Sequence, residues 1–287
     1  MYDKLTEMDR PQTVKDLLQW AVLFLGKEKR LEIEVLLAKA ADLSRASLLA
    51  YPEKILNKQQ VEKFRKLIYR LKDNTPLQYL TGKQNFMGLD FQVNENVLIP
   101  RSDTEVLVEE VINLVRTFEG KVTILDLCTG SGAIAVSLAK YLPHAQLVAT
   151  DISPEALEVA KINAQIHMVA ERITFLVGDL FEPLGETKFH IITANPPYIS
   201  SLEMEELPED VKKEPKLALW GGEDGLDFYR KITALAPKYL KRPGYLFLEI
   251  GYRQGQAVRE LCLASGFREC VVMKDWAGQD RVVRGFL

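Results

Sequence analysis

The fold of this chain is decided by residues 122–135, which read Val-Thr-Ile-Leu-Asp-Leu-Cys-Thr-Gly-Ser-Gly-Ala-Ile-Ala. The first six residues are mostly apolar and partly β-branched, which is typical of a strand buried in a parallel sheet. The segment Thr129–Gly132 predicts a tight turn, and Ala133–Tyr141 predicts a helix. A strand, a glycine-rich turn and a helix in this order indicate an α/β domain.

The alternation of strands and helices continues on the carboxyl side of this stretch. Further strands are predicted at 146–150, 173–177, 189–194, 244–250, 269–274 and 281–286. The last two follow each other without a helix, so we expect the final strand to insert antiparallel. The acidic, proline-containing segment 200–215 is predicted to be a loop. The fold class is therefore α/β, with a seven-stranded, mostly parallel, Rossmann-like sheet.

A different pattern precedes this domain. Residues 1–72 contain apolar positions at three- and four-residue steps, which predict a small helical bundle, with Thr13 as the cap of the first helix. Residues 73–100 are predicted to be a linker with a β-hairpin around Gly88. The catalytic domain is then expected to comprise residues 101–287, opening with a helix at 105–115 that Ser102 or Asp103 caps.

The composition excludes several classes of protein. The 287 residues carry a net charge of −3, which argues against a nucleic-acid binder. The three cysteines show no CxxC spacing and the three histidines form no ligand pattern, so we predict no metal site and a reducing, cytoplasmic location. No stretch has the length or order of a membrane span or signal peptide, and we predict no membrane association.

A second informative stretch, Asn195-Pro196-Pro197-Tyr198, directly follows the predicted strand 189–194. Ligands bind at the carboxyl ends of strands in open α/β sheets. Because a proline has no N–H, Pro196 offers only a carbonyl, and it holds Asn195 extended. The Asn195 side-chain oxygen and the Pro196 carbonyl are thus two acceptors for the hydrogens of a planar NH2 group, with Tyr198 packing on its flat face. Residues 195–198 are called the clamp below.

The glycine turn predicts a cofactor site that fits two cofactors. Gly130-Ser131-Gly132 with Asp151 nineteen residues later fits a nicotinamide site. Asp126 just before the turn favours S-adenosylmethionine instead, because a carboxylate attracts its α-ammonium and repels a pyrophosphate. Asp179, which ends the third strand, or its neighbour Leu180 is expected to border the adenine.

Several motifs together resemble the release factor glutamine methyltransferases of the HemK or PrmC type, within the class I methyltransferases. They are Asp-Leu-x-Thr-Gly-Ser-Gly-Ala-Ile-Ala at 126–135, Asn-Pro-Pro-Tyr-Ile at 195–199, and the segments 76–82, 97–105, 214–226 and 277–281. The resemblance extends from about residue 76 to the end. Cys128 stands where that family usually has Gly, and Ser102 where it usually has Pro.

The resemblance implies S-adenosylmethionine as cofactor, with S-adenosylhomocysteine as product. It also implies that the substrate is the glutamine of the Gly-Gly-Gln motif of class 1 peptide-chain release factors, held by Asn195, Pro196, Pro197 and Tyr198. Of these four residues, Asn195, Pro196 and Tyr198 are predicted to be catalytic. The predicted cofactor-binding residues are Asp126, Cys128, Thr129, Gly130, Ser131, Gly132, Asp151, Ile152, Asp179, Leu180 and Asn195.

The residues leave three other functions open. An amino methyltransferase acting on adenine N6 or guanine N2 of a nucleic acid would use the same clamp, although the acidic charge argues against it. A nicotinamide-dependent oxidoreductase would use the glycine turn, and a non-catalytic binding module would use the fold alone. The helical residues 1–72 are expected to dock the substrate protein.

Overall fold

A computed structural model of the chain describes residues 12–287, and these form two compact units. The first ends at Gly82 and the second begins at Lys83. Residues 73–100 thus contribute to both units: a short helix to the first and the hairpin to the second. No helix in this part of the chain is long and apolar enough to cross a membrane.

The first unit is a bundle of helices. Its helices are α1 (Val14–Leu25), α2 (Arg30–Ala41), α3 (Arg45–Ala50), α4 (Lys58–Lys72) and α5 (Leu77–Thr81), and a short ladder joins β1 (Gln12–Thr13) to β2 (Ile55–Leu56). Thr13 caps α1, since its hydroxyl accepts the Asp16 N–H and the Asp16 carboxylate accepts the Thr13 N–H. Leu37 and Phe64 are fully buried in the bundle core, so the apolar spacing of the sequence marks this core correctly.

The second unit contains the hairpin and the large sheet. The strands are β3 (Lys83–Phe86), β4 (Leu89–Gln92), β5 (Val122–Leu127), β6 (Ala145–Asp151), β7 (Ile173–Val177), β8 (Phe189–Ala194), β9 (Leu240–Glu249), β10 (Glu269–Lys274) and β11 (Asp280–Phe286). The seven-stranded sheet has the order β10-β11-β9-β8-β5-β6-β7. β5, β6, β7, β8 and β9 are parallel neighbours, and β11 is antiparallel to both β9 and β10. The predicted seven-stranded sheet with an antiparallel last strand is confirmed.

Two apolar layers cover this sheet. The helices are α6 (Glu105–Val115), α7 (Ala133–Tyr141), α8 (Pro154–Ile166), α9 (Ser201–Glu206), α10 (Asp227–Tyr239) and α11 (Gly255–Ala264). Ile124 packs in one apolar cluster with side chains of α6 and α7, whereas Leu125 packs in another with side chains of α10 and α11. Because successive strand residues point to opposite faces, both faces of β5 are buried.

Two local expectations are wrong. Segment 200–215 is not a plain loop, because α9 begins with a capping box in which Ser200 and Glu203 each accept the other's backbone N–H. In addition, neither Ser102 nor Asp103 caps α6 with its side chain; a single 3₁₀ turn, Ser102–Thr104, leads into the helix instead.

Candidate active site

The turn after β5 is held by hydrogen bonds to the neighbouring strand. The Thr129 N–H donates to the Thr150 carbonyl at 3.0 Å, and the Gly130 N–H donates to the Asp151 carboxylate at 2.8 Å. Cys128 (φ 55°), Gly130 (φ 55°) and Gly132 (φ 79°) all have left-handed backbone. For Cys128, which has a Cβ, this conformation costs about 1 kcal/mol.

The two glycines of the turn serve different purposes. A Cβ added to Gly132 would lie 3.0 Å from the Ala160 Cβ, so Gly132 allows α7 and α8 to approach closely. A Cβ added to Gly130 would meet no atom within 4 Å. Gly130 therefore faces open space, and its backbone is accessible to a ligand.

That open space is a cavity of about 300 Å³ at the carboxyl ends of β5, β6, β7 and β8. The structure brings ten of the predicted site residues together in its wall: Cys128, Thr129, Gly130, Ser131, Asp151, Ile152, Asp179, Leu180, Asn195 and Pro197. The other four, Asp126, Gly132, Pro196 and Tyr198, are not among the residues that line it. Among residues 12–287, no three His, Cys, Asp or Glu side chains are grouped so that they could hold a metal ion.

Asp126 lies beneath the turn and is completely buried. Its two oxygens accept hydrogen bonds from the hydroxyls of Thr129 at 2.6 Å and Thr193 at 2.8 Å. Burial raises the pKa of Asp126 to about 7, although these hydroxyls counteract part of the rise. A cation in the cavity would favour the ionised form, but Asp126 is not itself part of the cavity wall.

Asp151 joins the turn to the start of α8. Its Oδ2 accepts the Gly130 N–H, and its Oδ1 accepts the Ser153 N–H at 3.0 Å. Burial raises the pKa of this carboxyl group. Because each carboxylate oxygen can accept more than one hydrogen bond, Asp151 remains able to bind a pair of ligand hydroxyls.

The end of β7 forms the next part of the wall. Leu180 has left-handed backbone with φ 50°, and its carbonyl accepts the Thr150 hydroxyl at 3.1 Å. Asp179 faces Lys231 of α10, with 3.7 Å between the carboxylate and the ammonium. An apolar side chain and a carboxylate thus border the same side of the cavity.

Asn195 extends into the cavity wall from the end of β8. Its Nδ2 donates to the Thr104 hydroxyl at 3.3 Å. The amide nitrogen is thereby turned toward Thr104, and Oδ1 remains as an acceptor for a ligand. The Tyr198 carbonyl accepts a hydrogen bond from the Gln254 side-chain amide at 3.0 Å. Burial raises the pKa of Tyr198, so its phenol stays neutral.

The sequence did not indicate the residues that close the cavity on its other side. Arg101 forms an ion pair with the buried Glu214, and the second Glu214 oxygen accepts the Ile99 N–H at 3.0 Å. Burial raises the pKa of Glu214 more than Arg101 lowers it. These contacts join segments 96–104 and 214–218, which both line the cavity. Both belong to the motifs quoted for the family resemblance, which was the only signal available for them.

The glycine turn, the acidic strand ends and the polar strand end at Asn195 define a Rossmann-like methyltransferase domain. A methyltransferase of known structure from Pyrococcus furiosus has a similar fold, with a TM-score of 0.52 and 18% identity over 77% of this chain and 98% of its own. Residues 102–211 match the family model of the methyltransferase small domain, and residues 16–82 match that of the PrmC N-terminal domain.

Two relatives narrow the class to a family. A release factor glutamine methyltransferase of Geobacter sulfurreducens is 43% identical over 98% of this chain and 99% of its own. One of Moorella thermoacetica is 51% identical over 88% of this chain and 89% of its own. The chain belongs to the family of release factor glutamine methyltransferases.

Proposed function

We propose that this chain transfers a methyl group from S-adenosylmethionine to the side-chain amide nitrogen (N5) of the glutamine in the Gly-Gly-Gln motif of class 1 peptide-chain release factors. The observation that carries the proposal is the orientation of Asn195, whose Nδ2 donates to Thr104 while its Oδ1 remains as an acceptor beside the cavity. The names of the relatives support the choice of glutamine.

The cavity fits S-adenosylmethionine. Gly130 leaves room for the cofactor beside the turn, and Asp151 has the acceptor capacity for two ribose hydroxyls. Ile152 and Leu180 supply apolar surface for adenine, with Asp179 at its edge. Asp126 acts from beneath the turn as the charge that attracts the α-ammonium. When bound, the cofactor supplies an electrophilic methyl group on a sulfonium centre.

The chain contributes position rather than a strong base. The Asn195 Oδ1 and the Pro196 carbonyl accept the two hydrogens of the glutamine amide, and the Tyr198 ring packs beside it. An amide nitrogen is a weak nucleophile, and a misplacement of about 1 Å can cost a reaction on the order of a hundredfold in rate. The same two acceptors stabilise positive charge that develops on the nitrogen during transfer, and one amide proton is released to water so that the product is a neutral N-methyl amide.

A labelling experiment tests this function. The protein is incubated with purified release factor and methyl-labelled S-adenosylmethionine, and the labelled residue is mapped by mass spectrometry. We expect one methyl group on the Gly-Gly-Gln glutamine and none on a release factor in which that glutamine is replaced by alanine. Label on another residue, or on nucleic acid instead of the release factor, would contradict the proposal.

A further inference from the structure

Glu249 is a buried carboxyl group that has no role in the methyl transfer proposed above. It ends β9, the strand beside β8, and its neighbour Leu248 pairs with Ala194, the residue before Asn195. Its side chain is 1% exposed and lies outside the cavity wall. A buried carboxyl group is costly unless it is fully hydrogen-bonded or paired, so the position of Glu249 near Asn195 requires a reason.

The surroundings of Glu249 do not neutralise it fully. The hydroxyls of Thr104 and Tyr198 lower the pKa of its carboxyl group, yet its Oε2 has no hydrogen-bond partner among residues 12–287. The charge of Arg281 also acts on Glu249, but Arg281 is engaged by Asp275 at 3.1 Å and Asp103 at 3.2 Å. The cation is therefore shared among carboxylates, and Glu249 depends on the hydroxyls.

Thr104 is hydrogen-bonded to Asn195 and acts electrostatically on Glu249. Its Oγ1 accepts the Asn195 Nδ2–H, so its own hydrogen must point elsewhere. An ionised Glu249 only accepts hydrogen bonds, and it therefore holds the Thr104 hydrogen toward itself. The order of donors then runs from Asn195 to Thr104 to Glu249, and the Asn195 Oδ1 is left for the substrate.

Protonation of Glu249 would reverse this order. A neutral carboxyl group can donate to the Thr104 Oγ1, which frees the Thr104 hydrogen to donate to Asn195. The Asn195 amide is then favoured with Oδ1 toward Thr104 and its NH2 toward the substrate. Two NH2 groups would face each other, and the clamp would lose one of its acceptors.

We propose that Glu249 is a positioning residue that sets the orientation of the Asn195 amide through Thr104, and that the clamp is competent when Glu249 is ionised. The inference rests on the proposed role of Asn195. Burial raises the pKa of Glu249 to about 7, within the range where enzymes work, and the Thr104 hydroxyl and Arg281 limit the rise. The proposal therefore predicts a pH-dependent rate.

Several other titratable or charged groups lie near Glu249. Asp103 and Arg281 face it from the 3₁₀ turn and β11, and Asp103 raises its pKa. Tyr229 of α10 donates its hydroxyl to the Glu249 carbonyl at 2.8 Å, and burial keeps Tyr198 and Tyr229 neutral by raising their pKa values. Asp126 also titrates at about pH 7, but it belongs to the cofactor turn.

The test separates these two carboxyl groups by measuring kcat at saturating S-adenosylmethionine as a function of pH. For the wild type we expect kcat to rise with pH through about 7, as Glu249 ionises. Glu249→Gln should lower kcat at about pH 8 on the order of a hundredfold, the size expected when one positioned dipole is lost, and should remove the rise. Its affinity for S-adenosylmethionine, measured by calorimetry, should stay that of the wild type.

Variants of Thr104 test the connection independently of the fold around Glu249. Thr104→Val should reproduce the flat pH profile, Thr104→Ser should restore the wild-type profile, and Glu249→Gln combined with Thr104→Val should lose little more than either change alone. A wild-type pH profile in Glu249→Gln or in Thr104→Val overturns the proposal. Failure of the proposed function is distinct, because the wild type itself would then leave the release factor unmethylated.

Discussion

The Asn195 amide nitrogen donates to the hydroxyl of Thr104, which lies 91 positions earlier in the chain. The role of Asn195 and Pro196 as acceptors for a planar NH2 group stays a prediction from the sequence, which is possible because both residues are limited to a few hydrogen-bonding roles. The buried roles of Thr104, Glu214 and Glu249 could not be predicted from the sequence. An isolated Thr or Glu in a sequence is most often a solvated surface residue. Their burial depends on how distant segments come together.

Asp126 provides a prediction that involves pH. Its raised pKa means that the folded protein without cofactor holds a proton that the unfolded chain has released, so this group makes the free protein less stable as pH rises from about 4 to about 7. Asp126→Asn should remove that loss and keep the melting temperature at about pH 8 at or above that of the wild type. Differential scanning calorimetry of both proteins across pH measures it.

The same substitution should weaken cofactor binding. The α-ammonium favours ionised Asp126, so wild-type affinity should rise between about pH 6 and about pH 7.5, whereas Asp126→Asn should bind about tenfold more weakly at the upper pH without that rise, an effect worth one pKa unit. Isothermal titration with S-adenosylmethionine measures both slopes. An Asn variant that keeps the wild-type affinity would show that Asp126 only supports the turn.

Cys128 is a second test at the scale of one residue. Its left-handed backbone is strained with a Cβ and relaxed without one. Cys128→Gly should therefore leave the free energy of unfolding unchanged or raise it by up to about 1 kcal/mol, because relief of strain and the greater freedom of the unfolded chain oppose each other. Cys128→Ala, which keeps the Cβ, is the control and should show no gain in urea unfolding.

Among the elements, those with a regular apolar period were predicted most closely. Strands Val122–Leu127 and Phe189–Ala194 and helix Ala133–Tyr141 agree with the structure at both ends, because burial on both faces or on one stripe leaves a clear pattern. The short helix α9 differs from the predicted loop, although its capping box is visible in the sequence. The acidic, proline-containing composition of residues 200–215 favours a loop and obscures this signal.

The segment after the prolines pairs with a second loop, which offers a prediction for an element. The Ile199 N–H donates to the Leu219 carbonyl at 2.9 Å, and the Gly221 N–H donates to the Ile199 carbonyl at 2.8 Å. A Cβ at Gly221 would lie 2.6 Å from the Pro197 carbonyl oxygen. Gly221→Ala should therefore displace residues 195–199 and lower the rate of methyl transfer on the order of a hundredfold.

Two measurements confine that effect to the clamp. The affinity of Gly221→Ala for S-adenosylmethionine should stay close to that of the wild type. Gly120→Ala, where an added Cβ meets no atom within 4 Å, controls for the replacement of a loop glycine and should retain activity. Equal rates for both variants would show that the close contact between the two loops does not position the clamp.

The helical unit has a partly apolar surface to which a partner protein can bind. Trp20 and Phe24 are half-buried and stack at 5.6 Å, Tyr69 meets Phe24 edge-on at 5.4 Å, and Leu23, also in α1, is 88% exposed. A partly exposed apolar surface of this kind is a candidate docking surface. We propose that it binds the body of the release factor.

Leu23→Lys tests this docking role. We expect the KM for an intact release factor to rise about tenfold, consistent with the loss of one buried leucine at an interface. The KM for a short Gly-Gly-Gln peptide should not change, since a peptide has no body to dock. Leu49→Lys, at another exposed leucine of the same unit, is the control. A similar loss on both substrates would contradict docking through this surface.

The position of β11 between β9 and β10 has a consequence for the order in which the protein matures. During synthesis β5, the glycine turn and Asn195 emerge before β11, which is the last of the strands. β11 contains Arg281, which donates to the Ile250 carbonyl. Until then β9 has an open edge and Glu249 lacks the charge of Arg281. We therefore expect a nascent chain to form the cofactor-binding turn first. It should become catalytically competent only after β11 has been added to the sheet.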